Sequence, residues 1–345
     1  MDMILQKKSL APWLERLEGY DIYAPVRQDD IWNYAHVTDG RDIDLGYPNT
    51  VQSPKPIIFP QCETILEFSA SEDGTPVMRE VIPEPNPFVV LGMRPCDARA
   101  LTLYDKVFGG DIKDPYYWKR REKGILVGLA CTVPPSPNCF CPTVDGSPCS
   151  TDGLDILLTD LEDRYYVESL TKKGENLLND AKTLFKAPTA AENKAAARIK
   201  SESEKKINRQ VRQLAEVPPK LAGMFDASLW DEEAMSCLRC GICTYLCPTC
   251  HCFDIADELS SSSPLKGRRI RNWDTCQFPD FTMHSSGHNP RPDKASRLRQ
   301  RILHKFHYFV VNHEAYQCTG CGRCISLCPV GIDIIEVLDK VRDYA

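Results

Sequence analysis

The pattern of apolar and polar positions along the first 87 residues predicts one short helix followed by short strands and loops. Apolar residues recur at helical spacing behind Ser9, which predicts an amphipathic helix over 9–18 with Ser9 as its cap. Its apolar face consists of Leu10, Trp13, Leu14 and Leu17. The segment from there to Pro87 is rich in Pro and aromatic residues, which favours short strands over long helices.

From Phe88 the pattern changes to alternating strands and helices. The apolar runs 88–92 and 125–130 predict two buried strands, and a helix lies between them with Asp97 as a candidate cap. Further strands are predicted over 154–158 and 165–168, and a further helix over 174–185. This succession is typical of a βαβ unit, whose strands are parallel.

The length and the charge pattern predict two domains. A single core usually stops growing before 345 residues. The stretch 187–223 is charged and almost without large apolar residues until Val217-Pro218-Pro219, which we interpret as the stop of a solvated helix or linker. We expect an α+β protein with an α/β domain over 1–186, a charged helical linker over 187–225 and a largely helical domain over 226–345.

Composition narrows the class of protein. No basic segment followed by an apolar stretch opens the sequence, and no apolar run approaches the ~20 residues that span a bilayer, so we expect a soluble, cytoplasmic protein without a membrane span. The formal net charge of -6 argues against a general nucleic-acid binder. The 17 cysteines, in a chain expected in a reducing compartment, indicate metal ligands better than disulfides.

Eight of the cysteines lie in two runs of the same spacing. The runs are Cys237-Leu-Arg-Cys240-Gly-Ile-Cys243-Thr-Tyr-Leu-Cys247-Pro248 and Cys318-Thr-Gly-Cys321-Gly-Arg-Cys324-Ile-Ser-Leu-Cys328-Pro329. This is the bacterial ferredoxin pattern, in which three cysteines bind one [4Fe-4S] cluster and the fourth binds its neighbour, so we expect 226–345 to be a dicluster ferredoxin-like domain. The pattern assigns Cys237, Cys240, Cys243 and Cys328 to a first cluster, and Cys318, Cys321, Cys324 and Cys247 to a second.

Other features of the runs agree with this interpretation. Gly241 and Gly322 would let the backbone pass close to the clusters. Four-thiolate zinc sites usually combine two separated cysteine pairs, whereas seven of twelve positions repeat here with Pro at the end. After the second run, Asp333 is a candidate cap for a final helix with an apolar face.

A third group of cysteines lies in the predicted α/β domain. Cys96 and Cys131 each follow the carboxyl end of a predicted parallel strand, where open α/β sheets bind ligands. With the loop cysteines Cys139 and Cys141 they form a candidate third [4Fe-4S] site, for which Cys149 is a possible substitute ligand. The alternative is that Cys96 and Cys131 are small buried core residues.

The remaining candidates have simpler interpretations. Cys250, Cys252 and Cys276 are expected to pack around the first cluster, since three thiolates would need a histidine to complete a site, and Cys62 is expected in the core. For Asp97 a helix cap is favoured over a catalytic acid. A basic stretch in the C-terminal third is interpreted as a solvated helix face rather than a binding site for an acidic partner or phosphate. It comprises Arg297, Arg299, Arg301, His304 and Lys305.

These motifs together resemble the iron-sulfur β subunits of cytoplasmic hydrogenases and sulfhydrogenases. They are also similar to the corresponding iron-sulfur subunit of anaerobic sulfite reductase and to that of flavin oxidoreductases coupled to heterodisulfide reductase. The segments that support the resemblance, besides the two runs, are 94–101, 138–141, 247–254, 273–276 and 287–291. The resemblance implies an electron-transfer subunit of anaerobic metabolism between a flavin subunit that handles NAD(P)H and a catalytic redox subunit. The charged stretch and Cys149 have no counterpart in that pattern.

Neither a G-x-G-x-x-G nor a G-x-x-x-x-G-K-[ST] motif gives the chain a nucleotide or flavin site of its own. The leading hypothesis is therefore a non-catalytic relay with two [4Fe-4S] clusters and a third in the first domain. Two alternatives stay open: a catalytic reductase whose Cys96–Cys141 cluster binds a substrate, and a zinc-stabilised interaction protein.

Overall fold

The computed structural model describes residues 2–71, 73–263 and 265–344, which form two β-sheets and a set of mostly short helices. The strands are β1 (Asp2–Gln6), β2 (Asp21–Gln28), β3 (Ile31–Val37), β4 (Cys62–Ala70), β5 (Pro76–Glu80), β6 (Phe88–Met93), β7 (Gly124–Leu129), β8 (Ile156–Asp160), β9 (Arg164–Ser169), β10 (Phe185–Lys186), β11 (Phe253–Ser262) and β12 (Leu265–Trp273). The α-helices are α1 (Leu10–Leu14), α2 (Lys55–Ile58), α3 (Pro95–Phe108), α4 (Pro115–Lys123), α5 (Lys172–Asn179), α6 (Ala190–Ser203), α7 (Val217–Leu221), α8 (Leu229–Ala234), α9 (Ile242–Tyr245), α10 (Lys294–Leu303), α11 (Phe309–His313), α12 (Arg323–Ser326) and α13 (Ile334–Asp343).

The larger sheet has eight strands in the order β10-β1-β9-β8-β7-β6-β2-β3. Its centre is parallel, since β6 pairs in parallel with β2 and β7, and β7 with β8. Every residue of β6 and β7 is buried because helices cover both faces. One face packs against α1 and α5 through Trp13 and Leu177, and the other packs against α3 through Leu101.

The predicted βαβ unit is confirmed, with α3 and α4 between β6 and β7, but several predicted helix ends are wrong. Helix α3 begins at Pro95 with Arg94 at its N-cap position, so Asp97 is not the cap. Ser9 precedes α1 but its side chain makes no capping hydrogen bond. The helix predicted over 174–185 is α5, which the Thr171 side chain caps and which ends at Asn179. Val217-Pro218-Pro219 opens α7 instead of stopping a helix, because Pro fits the first helical turn.

The smaller sheet joins the two halves of the chain. Its order is β11-β12-β4-β5, antiparallel throughout, and the register of the central pair runs from Asn272 opposite Cys62 to Lys266 opposite Ser69. A hairpin from the C-terminal third therefore pairs with a strand from the N-terminal quarter. The expected mixture of helix and sheet is confirmed, whereas a largely helical domain over 226–345 is not, because this long hairpin lies within it.

A separate hydrophobic core lies among the C-terminal helices, where α7, α8, α10 and α13 meet through Leu221, Trp230, Ile302 and Leu338. The predicted cap of α13 is confirmed: the Asp333 side chain accepts a hydrogen bond from the Ile335 amide at 2.9 Å. Helix α10 continues through a π-helical turn, 304–308, into α11. None of the helices in the described part of the chain is long and apolar enough to cross a membrane.

Candidate metal centres

A first cavity is lined by all four cysteines that the ferredoxin pattern groups together. Cys237, Cys240 and Cys243 approach it from the start of α9, and Cys328 approaches it from the end of the second run. Apolar side chains such as Ile302 and Val337 complete its wall. Cys240 is exposed, so this cavity lies at the protein surface.

A second cavity is lined by Cys318, Cys321 and Cys324 from the second run and by Cys247 from the first. Each run therefore sends its fourth cysteine to the other run's cavity, which is the exchange that the ferredoxin pattern predicts. Pro248 follows Cys247 in the wall of the cavity.

Glycine is required where each run turns. Gly241 and Gly322 occupy the N-cap positions of α9 and α12 with φ of +77° and +75°, a region that residues with a Cβ rarely adopt. A Cβ on Gly241 would lie 2.9 Å from the Phe278 ring, and one on Gly322 would lie 2.5 Å from the Asn138 carbonyl oxygen. The close approach at Gly322 presses the second run against the Asn138–Cys141 loop of the N-terminal half.

The polar atoms around the second cavity fit an anionic sulfur-rich group. Arg301 Nε and Thr319 Oγ1 are buried without a hydrogen-bond partner among the described residues, and both residues line this cavity. Buried donors are almost always paired, so each needs an acceptor inside the cavity. The thiolates and inorganic sulfides of a [4Fe-4S] cluster would supply such acceptors.

A third cavity lies at the carboxyl edge of the parallel strands. Cys96 lies in the first turn of α3, and Cys131 is the second residue after β7. Cys139 and Cys141 belong to the loop that follows. Cys149 does not line it, because its Sγ lies against Ser203 Oγ at 3.4 Å. The structure thus brings together the four cysteines proposed from the sequence and separates the substitute.

The thiols of this third group would need a metal to ionise near neutral pH. Burial raises the pKa of Cys131 to about 11 and also raises the pKa of Cys96 and Cys139. A metal ion deprotonates the thiols that coordinate it, so the arrangement suits ligands better than free thiolates. In the described part of the chain, no three His, Cys, Asp or Glu side chains converge closely enough to hold one metal ion; the cysteines ring cavities instead.

The three cavities lie in a row and share walls. Cys324 lines both the first and the second cavity, and Cys321 lines both the second and the third. The Phe140 amide also donates to the Gly320 carbonyl at 2.8 Å, which ties the third site's loop to the second run. Groups bound in these cavities would be neighbours in the order first, second, third.

The interpretation of the basic stretch as a solvated face is wrong for three of its residues. Arg297, Arg301 and Lys305 are buried at 0%, 5% and 2% exposure. Arg297 donates to the carbonyls of Phe278 and Pro279, while Arg301 and Lys305 line the second cavity. Their spacing of four residues places them on one face of α10 and its π-helical extension, and this periodicity was the available sequence signal.

Asp97 is neither a helix cap nor free for acid catalysis. It lies in the first turn of α3 and forms a bidentate ion pair with Arg323, with Nη–Oδ distances of 2.5 and 2.9 Å. Arg323 belongs to the second run, so this buried pair joins that run to helix α3, which also carries Cys96. The partner lies 226 positions away in the sequence, and no local pattern could identify it.

The remaining cysteines do not line the three cavities described. Gln277 lines the first cavity and donates to Cys276 Sγ at 3.5 Å, so Cys276 lies beside that cavity as expected. Cys250 instead interacts with Cys247 of the second cavity, and that hydrogen bond, followed by burial, raises the pKa of the Cys250 thiol. Cys62 is exposed on β4, so its expected place in the core is wrong.

Comparison with known proteins agrees with these motifs. The family model described as a 4Fe-4S dicluster domain matches residues 236–332, which contain both cysteine runs, so the predicted iron-sulfur character is confirmed. The chain is also similar to sulfhydrogenase 2 subunit beta of Pyrococcus furiosus, with 30% identity over 325 residues that cover 93% of this chain and 92% of that protein. No solved structure matches the chain.

Proposed function

Because the chain belongs to the sulfhydrogenase β-subunit family, we propose that it is an electron relay with three [4Fe-4S] clusters inside a multi-subunit oxidoreductase. Cys237, Cys240, Cys243 and Cys328 hold the first cluster; Cys318, Cys321, Cys324 and Cys247 hold the second; and Cys96, Cys131, Cys139 and Cys141 hold the third. The observation that carries the proposal is the row of three cysteine-lined cavities with shared walls.

The arrangement favours transfer over catalysis. When bound, each cluster supplies a one-electron carrier. Each cavity has its own set of four cysteines, one for each iron of a cube, so the chain itself offers no iron to a substrate. Glycine turns, apolar walls and buried donors surround the cysteines and would hold their thiolates in place around a cluster.

The two outer sites are the ends of the relay. In this proposal the electrons pass between a flavin subunit that handles NAD(P)H and a catalytic subunit, which is a hydrogenase, a sulfite or sulfur reductase, or a heterodisulfide reductase. The division into 1–186, 187–225 and 226–345 places the third site in the first unit and the other two in the last. The pairing of β4 with β12 and the Arg323–Asp97 ion pair support a fixed distance between them.

Iron and acid-labile sulfide per anaerobically purified chain test the proposal. Three clusters correspond to about twelve irons, and Cys131→Ser should reduce the content to about eight with the first two clusters intact. Cys149→Ser is the matched control, since that thiol is partly buried nearby but does not line the third cavity, and it should keep about twelve. A content near eight in the parent chain, unchanged by Cys131→Ser, would contradict the third site.

Two further outcomes separate the alternatives. A colourless chain with zinc and without labile sulfide would support a zinc-stabilised interaction protein instead. Turnover of sulfite or a disulfide by the isolated chain with an artificial electron donor would support a catalytic reductase. The relay proposal expects the isolated chain to be reduced by that donor without turnover.

A further inference from the structure

The three cavities differ in the charges that line them. Arg301 and Lys305 both line the second cavity, Arg301 also lines the first, and the third is lined by no charged side chain in the described part of the chain. The first cavity has one more cation, Arg239, but that residue is exposed. The middle of the row is therefore where buried positive charge is concentrated.

Lys305 is directed at the exchanged cysteine of the middle site. It lies in the π-helical turn that follows α10, an element often found at functional sites. Its ammonium nitrogen lies 3.4 Å from Cys247 Sγ and donates to Thr249 Oγ1 at 2.9 Å and to the Gln317 carbonyl at 2.8 Å. These three acceptors use the donors of the ammonium, and none of them is a carboxylate.

Arg301 lies between the first and second cavities. One of its terminal nitrogens donates to the Cys243 carbonyl at 3.0 Å, and its Nε is buried without a partner among the described residues. A guanidinium is not deprotonated in proteins, so Arg301 carries its charge. The three acceptors around Lys305 match the three hydrogens of an ammonium group, so Lys305 is a cation as well.

A buried cation favours the more negative oxidation state of a cluster beside it. Reduction adds one negative charge, and its attraction to a fixed cation is strong where water and salt are excluded. The reduction potential of an iron-sulfur cluster depends on such charge, on hydrogen bonds to its sulfurs and on solvent exposure. The exposed Arg239 is screened by solvent and contributes less than Arg301 or Lys305.

The cations near the third cavity are compensated or directed elsewhere. Arg323 is neutralised by the Asp97 carboxylate in a pair that is 3% and 1% exposed. Arg94 is buried and its Nε has no partner among the described residues, but one of its terminal nitrogens donates to the carbonyls of Tyr47 and Pro48. It lines the adjacent cavity rather than the third, so it is one uncompensated cation there against two at the second cavity. Prolines, including Pro95 and Pro148, form much of the third cavity's wall and cannot donate backbone hydrogen bonds to a sulfide.

We propose that Lys305 and Arg301 make the middle cluster the most readily reduced of the three. Lys305 acts on the middle cluster alone, and Arg301 acts on the middle and the first. An electron that enters from either end is then held at the middle site until the other end accepts it. This inference rests on the proposed assignment of the clusters. Neither side chain is a ligand; each places a positive charge beside a cluster.

Redox titration of the complete, cluster-loaded chain, followed by electron paramagnetic resonance, tests the inference. We expect Lys305→Gln to shift the first-appearing midpoint to more negative potential and to leave the other midpoints in place. Lys305→Arg keeps the charge and should restore the parent value. Arg301→Gln should lower two midpoints, whereas Arg299→Gln, a partly exposed residue on the same helix that lies against Phe225, should lower none.

Equal shifts of all midpoints in Lys305→Gln, or no shift, would overturn the inference. If Lys305→Gln fails to bind its clusters, Cys131→Ser provides the test instead. That variant lacks the third site, so the signal that appears first on reduction of the parent chain must persist in it. Loss of that signal in Cys131→Ser would refute the proposed order. An iron content of the parent chain below the expected value would contradict the relay proposal, whereas unshifted midpoints in a fully loaded variant would contradict only this inference. The two failures are therefore distinguishable.

Discussion

The Arg323–Asp97 ion pair offers a quantitative test of how the cysteine runs are attached to the N-terminal half. Arg323→Met removes the guanidinium but keeps an unbranched side chain that fills part of the same space. Arg323 also donates to the Thr50 carbonyl at 3.0 Å, to Thr50 Oγ1 at 3.1 Å and to Asn49 Oδ1 at 2.8 Å. The substitution therefore leaves a buried carboxylate and three further acceptors without their donor.

The expected loss follows from burial. Removing one partner of a buried ion pair costs about 3–5 kcal/mol, because the remaining charge stays in a medium that solvates it poorly. This is a large part of the 5–15 kcal/mol by which proteins are typically stable. Replacing both partners with apolar side chains, as in Arg323→Met with Asp97→Leu, should recover much of the loss, since no charge is then left buried.

Anaerobic denaturant unfolding of the cluster-loaded chain, followed by tryptophan fluorescence, measures the difference between variants. Arg268→Met is the matched control, because the Arg268–Glu258 pair is about half exposed and should contribute no more than about 1 kcal/mol. An Arg323→Met chain as stable as this control, or a double variant less stable than the single one, would refute the reasoning.

Three further predictions concern the site and the core. Gly322→Ala should cost more than about 1 kcal/mol and lower the iron content, because its φ is +75° and its Cβ would meet the Asn138 carbonyl; Gly19→Ala, with φ of +82° in open space, should keep its iron. Cys149→Ser should leave the absorption of the clusters unchanged. Trp13→Ala should destabilise the chain by about 3–5 kcal/mol without loss of iron, since Trp13 is fully buried against Phe185.

Each of these predictions has a contradicting result. Equal iron loss in Gly322→Ala and Gly19→Ala would mean that backbone strain at a positive φ, and not the contact with Asn138, lowers the iron content. Iron loss in Cys149→Ser would place that thiol among the ligands. Loss of clusters in a folded Trp13→Ala chain would mean that cluster binding depends on the packing of α1 against the larger sheet.

The sequence by itself determined the two cysteine runs and their exchange of fourth cysteines, because ligand spacing within twelve residues is a local property. It also predicted that Cys96 and Cys131 would meet, since adjacent parallel strands bring their carboxyl ends to one edge of a sheet. The buried strands β6 and β7 were predictable for a similar reason: a continuous apolar run of this length suits a strand covered on both faces.

Only the tertiary structure decided which charges are buried. The charged stretch around α10 has the composition of a solvated helix, yet one face of it is buried, since Leu298 and Ile302 pack in the C-terminal core and Arg301 and Lys305 line the second cavity. The pairing of β12 with β4 and of Arg323 with Asp97 joins segments about 200 residues apart. Such contacts depend on how the two halves pack, so a pattern confined to neighbouring residues does not contain them.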